Sequence, residues 1–369
     1  MDKIDFQTDI LIVGGGPSGS TCARILANND INTILLEKNF NFDKPCGGGV
    51  KEKVFKEFNI PISLITKNIT LFNLISTKYK VPVDLTASPI SIVKRNEFDH
   101  ALRLLAQQDG ANLIEGEFIS SVSYHSHIIS TVKIDSKIYT IKSNYVVGAD
   151  GVNSKIKKAH FTNESKKVLT HYCISPNPSN IDYCNFYFDN RYAQGEYTWL
   201  FPHSNDISFG TAIKDKSVYK VFKNLKNENN ITTKTKGYYI PKWNKEKLFY
   251  KNRIFLLGDA ANQVLPFTYE GIYYVIQSAK ILADSIIIND PESYEKNWNK
   301  KYYKRFNFFR RLQKIFLAND FMVHTMLKFF KNKTLQKKAL GYWEGNLNPI
   351  PIHKIPYKLL KSLFISITK

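Results

Sequence analysis

Cysteines are few, acids are outnumbered, and no long apolar run exists in this chain of 369 residues. Its four cysteines, Cys22, Cys46, Cys173 and Cys184, form no CxxC pair and no zinc-type spacing, which leaves no pattern for a disulfide framework or a zinc module. His125 and His127 flank a single residue in a strand-like stretch, but no carboxylate or cysteine accompanies them. They read as surface strand positions, and no metal is expected. No stretch reaches the roughly 18 apolar residues of a membrane-spanning helix. The opening residues run straight into a strand, without the basic flank, apolar core and cleavage site of a signal peptide. A cytoplasmic protein with reduced thiols is therefore expected. Repeats and low-complexity tracts are missing too. Hydrophobic residues make up 43%, enough for a folded chain with one composite core or two.

The shortage of acids is uneven. Net charge is +20, and residues 296–369 hold seventeen Lys and Arg against Asp320 and Glu344. Phe306, Phe308, Phe309, Leu312, Ile315 and Phe316 interleave with Arg305, Arg310, Arg311 and Lys314. This pattern predicts a segment lying on an anionic membrane surface, peripheral at its inner face. A helix packed on the body with a solvated basic face is the competing reading. Nucleic acid is not expected, because no binding motif accompanies the charge.

What is present is a set of strand ends rich in glycine and acid. The apolar run 9–13 ends in Gly14-Gly15-Gly16-Pro17-Ser18-Gly19, a helical stretch follows, and a second apolar run, 32–36, ends in Glu37 and Lys38. In such a strand–GxGxxG–helix–strand–acid unit, Gly14 permits a tight turn and Gly16 lets the backbone approach a pyrophosphate. Gly19 lets the helix pack close to the sheet, and the helix N-terminus offers free N–H groups to phosphates. Glu37 can accept hydrogen bonds from ribose hydroxyls and would repel a 2′-phosphate, so NADP fits poorly. This unit alone does not separate NAD from FAD.

Two further apolar runs end the same way. One leads into Gly148-Ala149-Asp150-Gly151, the other into Gly258-Asp259-Ala260-Ala261. A helix is expected to open near Gly271 and Ile272, presenting backbone N–H groups. Arg95 begins another helix, in which Asp99 reads as a first-turn acid or cap.

The ordered set resembles the flavoproteins typified by para-hydroxybenzoate hydroxylase, in which the glycine-rich motif, GADGxxS and GDAA follow one another. The resemblance implies FAD, with Gly14, Gly16, Pro17, Ser18, Gly19, Glu37 and Lys38 at the adenosine and pyrophosphate. It places Arg95 and Asp150 at neighbouring contacts, and Gly258 and Asp259 at the ribityl and pyrophosphate region. Gly271 and Ile272 fall at the ring.

Lys44-Pro45-Cys46-Gly47-Gly48-Gly49 and Tyr197-Thr198-Trp199-Leu200-Phe201-Pro202 resemble, more narrowly, the geranylgeranyl reductase family, over about residues 6–290. The resemblance sets Cys46 and Gly47 beside the flavin and makes Cys46 the candidate catalytic residue, for proton or redox balance. Tyr197, Trp199 and Phe201 alternate as strand residues do, so they share one face. An aromatic face suits an isoprenoid chain or a ring substrate, and equally an ordinary sheet core. Two positions depart from the family: Asn262 stands where glycine usually follows GDAA, and Tyr269 precedes Glu270-Gly271 where Gly-Glu-Gly is usual.

The expected fold is α/β. A Rossmann-type, glutathione-reductase-like FAD domain is assigned to 1–75, 92–160 and 250–290, and an antiparallel substrate sheet to 76–91 and 161–249. A helical extension takes 291–369. The expected activity is reduction of carbon–carbon double bonds in a polyprenyl lipid or quinone side chain. There is no second complete dinucleotide fingerprint and so no dedicated NAD(P)H domain, and the sequence does not choose between NAD(P)H and a ferredoxin-type electron donor. The rivals are an aromatic hydroxylase and a non-catalytic flavin-binding protein. A flavin-dependent halogenase is the third, though 197–202 lacks the first Trp and the Ile of the Trp-x-Trp-x-Ile-Pro piece it would need.

Overall fold

Four of the apolar runs become neighbouring parallel strands whose carboxyl ends lie level. A computed structural model describes residues 4–162, 165–177, 180–213 and 216–347. In its main sheet the order is Tyr250–Lys251, Ile254–Leu256, Lys137–Gly148, Phe6–Val13, Thr33–Glu37 and Asn112–Glu115. The last five are mutually parallel, and Val13 is in register with both Gly148 and Leu36. Ile10, Leu11, Ile12 and Val13 are all buried, as in a central strand covered on both faces. The hairpin Glu117–Ser123 and Ile128–Ile134 continues the sheet antiparallel to Lys137–Gly148. Helix Pro17–Ala27 packs against both Arg95–Gln108 and Ile272–Ile287.

A second sheet of seven strands runs Lys236–Pro241, Lys167–Pro176, Asp206–Ile213, Thr198–Pro202, Cys184–Tyr187, Leu71–Ile75 and Lys80–Asp84. It is antiparallel except where Cys184–Tyr187 meets Leu71–Ile75. It thus begins at Leu71, ahead of the expected 76, because Leu74 joins Val81 and Val83 in its core. Ile90–Val93 goes elsewhere, into a three-stranded sheet with Gly49–Lys51 and Ile65–Ile69. On the far face, Phe222 of helix Lys216–Glu228 stacks on Phe209 at 5.4 Å.

The basic tail is helical and internal. Ser293–Trp298 passes through a π-helical turn, Asn299–Tyr303, into Lys304–Phe316; Asp320–Phe330 and Lys333–Glu344 follow. Asn319 and Asn332 cap the last two helices by accepting from the Met322 and Leu335 N–H groups, and Gly345 ends the final one in left-handed geometry. Phe306, Phe308, Phe309 and Phe316 are buried in the body, and Leu312 packs against them. The apolar side of Lys304–Phe316 therefore packs on protein, as the competing reading has it, while Phe321 of the next helix is exposed. Residues 348–369 of the expected extension lie outside the described residues.

Candidate active site

The level strand ends bring Gly14, Glu37, Asp150 and Asp259 to one edge of the main sheet, the place where open α/β sheets bind ligands. The local geometry separates the roles of the glycines. A Cβ on Gly14, whose φ is +109°, would lie 2.3 Å from the Ala149 carbonyl oxygen, and one on Gly19 would lie 1.9 Å from that of Gly14. A Cβ on Gly16 would meet nothing within 4 Å. Two of the three are therefore required by the fold, whereas Gly16 keeps space open in front of the helix N-terminus. Pro17 takes the first helical position and Ser18 is buried beneath Gly258.

Around this opening the polar groups are fixed. Glu37 accepts from the Gly15 N–H at 2.6 Å and the Asn39 N–H at 3.0 Å. Lys38 is exposed and pairs with Glu117 at 3.0 Å, on the rim. Asp150 accepts from the Lys155 N–H at 2.6 Å through one oxygen, while its other oxygen is buried without a partner. Burial raises its pKa, and the Ser154 hydroxyl and backbone donors oppose the rise. A partnerless carboxylate oxygen facing this crevice, an open glycine and free helix N–H groups fit a dinucleotide with hydroxyl and phosphate groups.

Three more charged residues belong here. Arg103 is buried and donates to the carbonyls of Gly15 (3.1 Å) and Phe40 (2.6 Å), locking the glycine loop. Lys44 reaches Asp259 at 2.5 Å, so the acid expected to face ligand hydroxyls has a protein cation beside it. Burial works against the Lys44 charge, but Asp259 and Tyr238 together outweigh it and hold the pKa above its ordinary value. Asp99 is neither cap nor first-turn acid; it takes both forks of Arg95, at 2.8 and 3.1 Å, in a buried pair. Arg95 also contacts the Cys46 side chain, which in turn accepts from the Gly48 N–H at 3.3 Å.

From the crevice one cavity of about 1120 Å³ extends beneath the second sheet. Small-molecule pockets are usually about 300–1,000 Å³, so there is room for a cofactor and a second ligand. Tyr197, Trp199 and Phe201 all line it, together with Phe188, Phe267 and Phe316. Glycines make space for these rings: a Cβ on Gly47 would lie 2.0 Å from Phe201, and one on Gly210 2.2 Å from Trp199. Gly47 thus serves ring packing. Trp199 has a buried indole N–H without a partner.

The loop 265–271 joins crevice to cavity. Gly271 caps helix Ile272–Ile287, whose N-terminus points at the opening, and a Cβ there would have 3.6 Å of room. Both departures from the family pattern sit at left-handed positions in this region, Asn262 at φ +56° and Tyr269 at φ +52°. Glycine is free there, asparagine is tolerated, and a tyrosine is strained. Lys51 ties the loop to the tail. It pairs with Glu270 at 3.4 Å, donates to the Trp343 carbonyl at 2.8 Å, and lies over the Tyr273, Tyr274 and Trp343 rings.

Residues 7–174 match the model of a known family, the FAD binding domain. Over that stretch the chain is similar to this family, whose members hold FAD. This flavoprotein is 25% identical to the chloroplastic geranylgeranyl diphosphate reductase of Nicotiana tabacum, over 89% of the chain and 79% of that protein. It is 26% identical to the digeranylgeranylglycerophospholipid reductase of Methanocaldococcus jannaschii, over 82% of the chain and 85% of the relative. The crystal structure of a geranylgeranyl bacteriochlorophyll reductase-like protein from Thermoplasma acidophilum superposes with a TM-score of 0.79 at 19% identity, covering 91% of this chain and 96% of that one. The flavoprotein is an FAD-dependent oxidoreductase related to the geranylgeranyl reductases. No helix among the described residues is long and apolar enough to cross a membrane, and they hold no cluster suited to a metal ion.

Proposed function

We propose that this flavoprotein reduces carbon–carbon double bonds in a polyprenyl chain carried by a lipid or a quinone. The observation that carries the reading is the apolar cavity running from the FAD crevice between the second sheet and the C-terminal helices. A flexible chain of isoprene units matches such a long aromatic-lined space better than a compact polar ring does, and the names of the relatives point to the same class. Bound FAD, once reduced by the external electron donor, would supply a hydride. Gly14, Gly16, Glu37, Asp150 and Asp259 would hold it along the sheet edge, with Arg103 and Lys44 keeping that edge in shape. An isolated alkene accepts hydride poorly, so the other carbon must gain a proton and water must be kept from the charge that develops. Trp199, Tyr197 and Phe201 exclude water, and their faces can stabilise that charge by cation–π attraction. Cys46 keeps a role on the flavin side. Turnover that survives intact in Cys46→Ser would remove the thiol from the chemistry.

The deciding experiment is anaerobic. Protein loaded with FAD and given a chemical reductant should convert geranylgeranyl substrates to products heavier by two hydrogens per double bond. A hydroxylase would need oxygen and would make a product heavier by one oxygen atom. Oxygen consumption with an aromatic substrate, with every prenyl substrate unchanged, overturns the reductase reading. NAD(P)H and a reduced ferredoxin, compared as donors in the same assay, separate the two sources of electrons.

A further inference from the structure

Tyr269 sits in a backbone conformation that a bulky residue adopts at a cost, and its hydroxyl explains why it stays there. The Tyr269 O–H donates to Glu196 Oε2 at 2.9 Å, and the Gln313 amide donates to the Tyr269 oxygen at 3.2 Å and to Glu196 at 3.3 Å. The Glu196 side chain is only 2% exposed, and its other oxygen takes the Lys242 ammonium at 2.5 Å. Lys242 is 34% exposed. A continuous chain of exchangeable protons therefore runs from solvent at Lys242, through buried Glu196, to Tyr269, which lines the cavity. Strained residues clustered at a site and over-determined by their neighbours are a recurring mark of function.

We propose that Tyr269 is the proton donor of the reaction and that Glu196 and Lys242 are positioning residues that recharge it. The proposal rests on the reductase reading above. In the balanced step one alkene carbon receives a hydride from reduced flavin and the other receives the Tyr269 hydroxyl proton. Two C–H bonds form, the C–C π bond and the O–H bond break, and the flavin is left oxidised. The phenolate keeps the electron pair of its O–H bond and regains a proton along Glu196 and Lys242 from water. Groups facing Tyr269 are Glu196 and the Tyr197 ring, whose centroid is 6.0 Å away; Tyr197 spends its own O–H on the Thr268 carbonyl at 2.7 Å. Burial and the Glu196 charge together hold the Tyr269 pKa well above its ordinary value, so the hydroxyl keeps its proton until substrate is in place.

The test pairs Tyr269→Phe with Glu196→Gln in FAD-loaded protein. Removing a general acid should slow alkene reduction about 10²-fold or more, with FAD retention close to wild type and the solvent deuterium isotope effect altered. Glu196→Gln should move the alkaline limb of the pH–rate profile to lower pH. The same variant should lower the titration midpoint of the Tyr269 ring carbon seen by NMR in labelled protein without substrate, identified by its loss in Tyr269→Phe. A Tyr269→Phe protein with wild-type rate and isotope effect overturns the proposal, because a tyrosine that merely props the loop would affect stability alone. A Tyr269 resonance indifferent to Glu196→Gln overturns the relay. Wild-type protein that leaves every prenyl substrate unchanged defeats the reductase reading instead, and the resonance then decides the relay alone.

Discussion

At the scale of single residues, the three glycines of the first motif look equivalent and are not. Gly19→Ala drives a methyl into the Gly14 carbonyl, and overpacking of this kind costs about 1–3 kcal/mol. The variant should melt early with or without cofactor. Gly16→Ala meets nothing in the protein. It should leave the melting temperature of the apoprotein unchanged while weakening FAD retention about tenfold or more, because its methyl would occupy the space proposed above for the pyrophosphate. Calorimetry of apoprotein and flavin fluorescence on dilution check the pair, and equal behaviour of the two variants would refute this division of roles. The acids Asp150 and Asp259 were legible in the sequence because each follows an apolar run directly. Arg103 was less so, although Arg95, Asp99 and Arg103 recur every fourth residue and so share a helix face. Lys44 gave no local signal of reaching Asp259, 215 positions later, since ion pairs across a fold leave no trace in spacing.

Among the elements, the segment around Lys304–Phe316 shows where periodicity stops informing. An apolar stripe beside a basic one states that the helix is amphipathic; it does not state whether lipid or protein covers the stripe. The structure covers it with protein: Phe306 is fully buried against Trp298, Tyr274 and Trp243, with ring centroids 5.1–5.6 Å away. Phe306→Ala should cost about 3–5 kcal/mol, the usual range for emptying such a site, and should lower the denaturation midpoint without changing binding of a prenyl substrate. Phe316→Ala, at the cavity wall, should do the reverse in part, weakening substrate more than its stability loss explains. A Phe306→Ala protein of wild-type stability that no longer sediments with anionic vesicles would restore the membrane reading. The second sheet was legible as a sheet from its alternating residues, but its parallel pair was not, because the contact joins Leu71–Ile75 to a strand more than a hundred positions away.

For the molecule as a whole, one buried and two half-buried histidines set an acid limit. Burial lowers the pKa of His160, His171 and His203 below the ordinary 6.5, aided at His160 by Lys251, and His203 has no partner for either ring nitrogen. Below 6.5 the unfolded chain therefore binds more protons than the folded one, so stability rises with pH up to about 6.5 and is lost as pH falls beneath it. The melting temperature should decline from about pH 6.5 downward, and His203→Gln should flatten part of that slope; a flat wild-type profile between pH 7 and pH 5, on the order of one pH unit either side of six, would contradict it. The crevice carries a different consequence. Its four strand ends come from residues 14, 37, 150 and 259, so a ribosome must deliver some two-thirds of the polypeptide before the cradle for the dinucleotide is complete. Until then the newborn amino-terminal half has an unfilled sheet position beside Lys137–Gly148, an edge of the kind chaperones guard and aggregates exploit. Vitamin supply then matters to birth as well as to chemistry: a ligand that binds only the finished form pulls assembly forward, and cells starved of riboflavin should yield less intact protein from the same message.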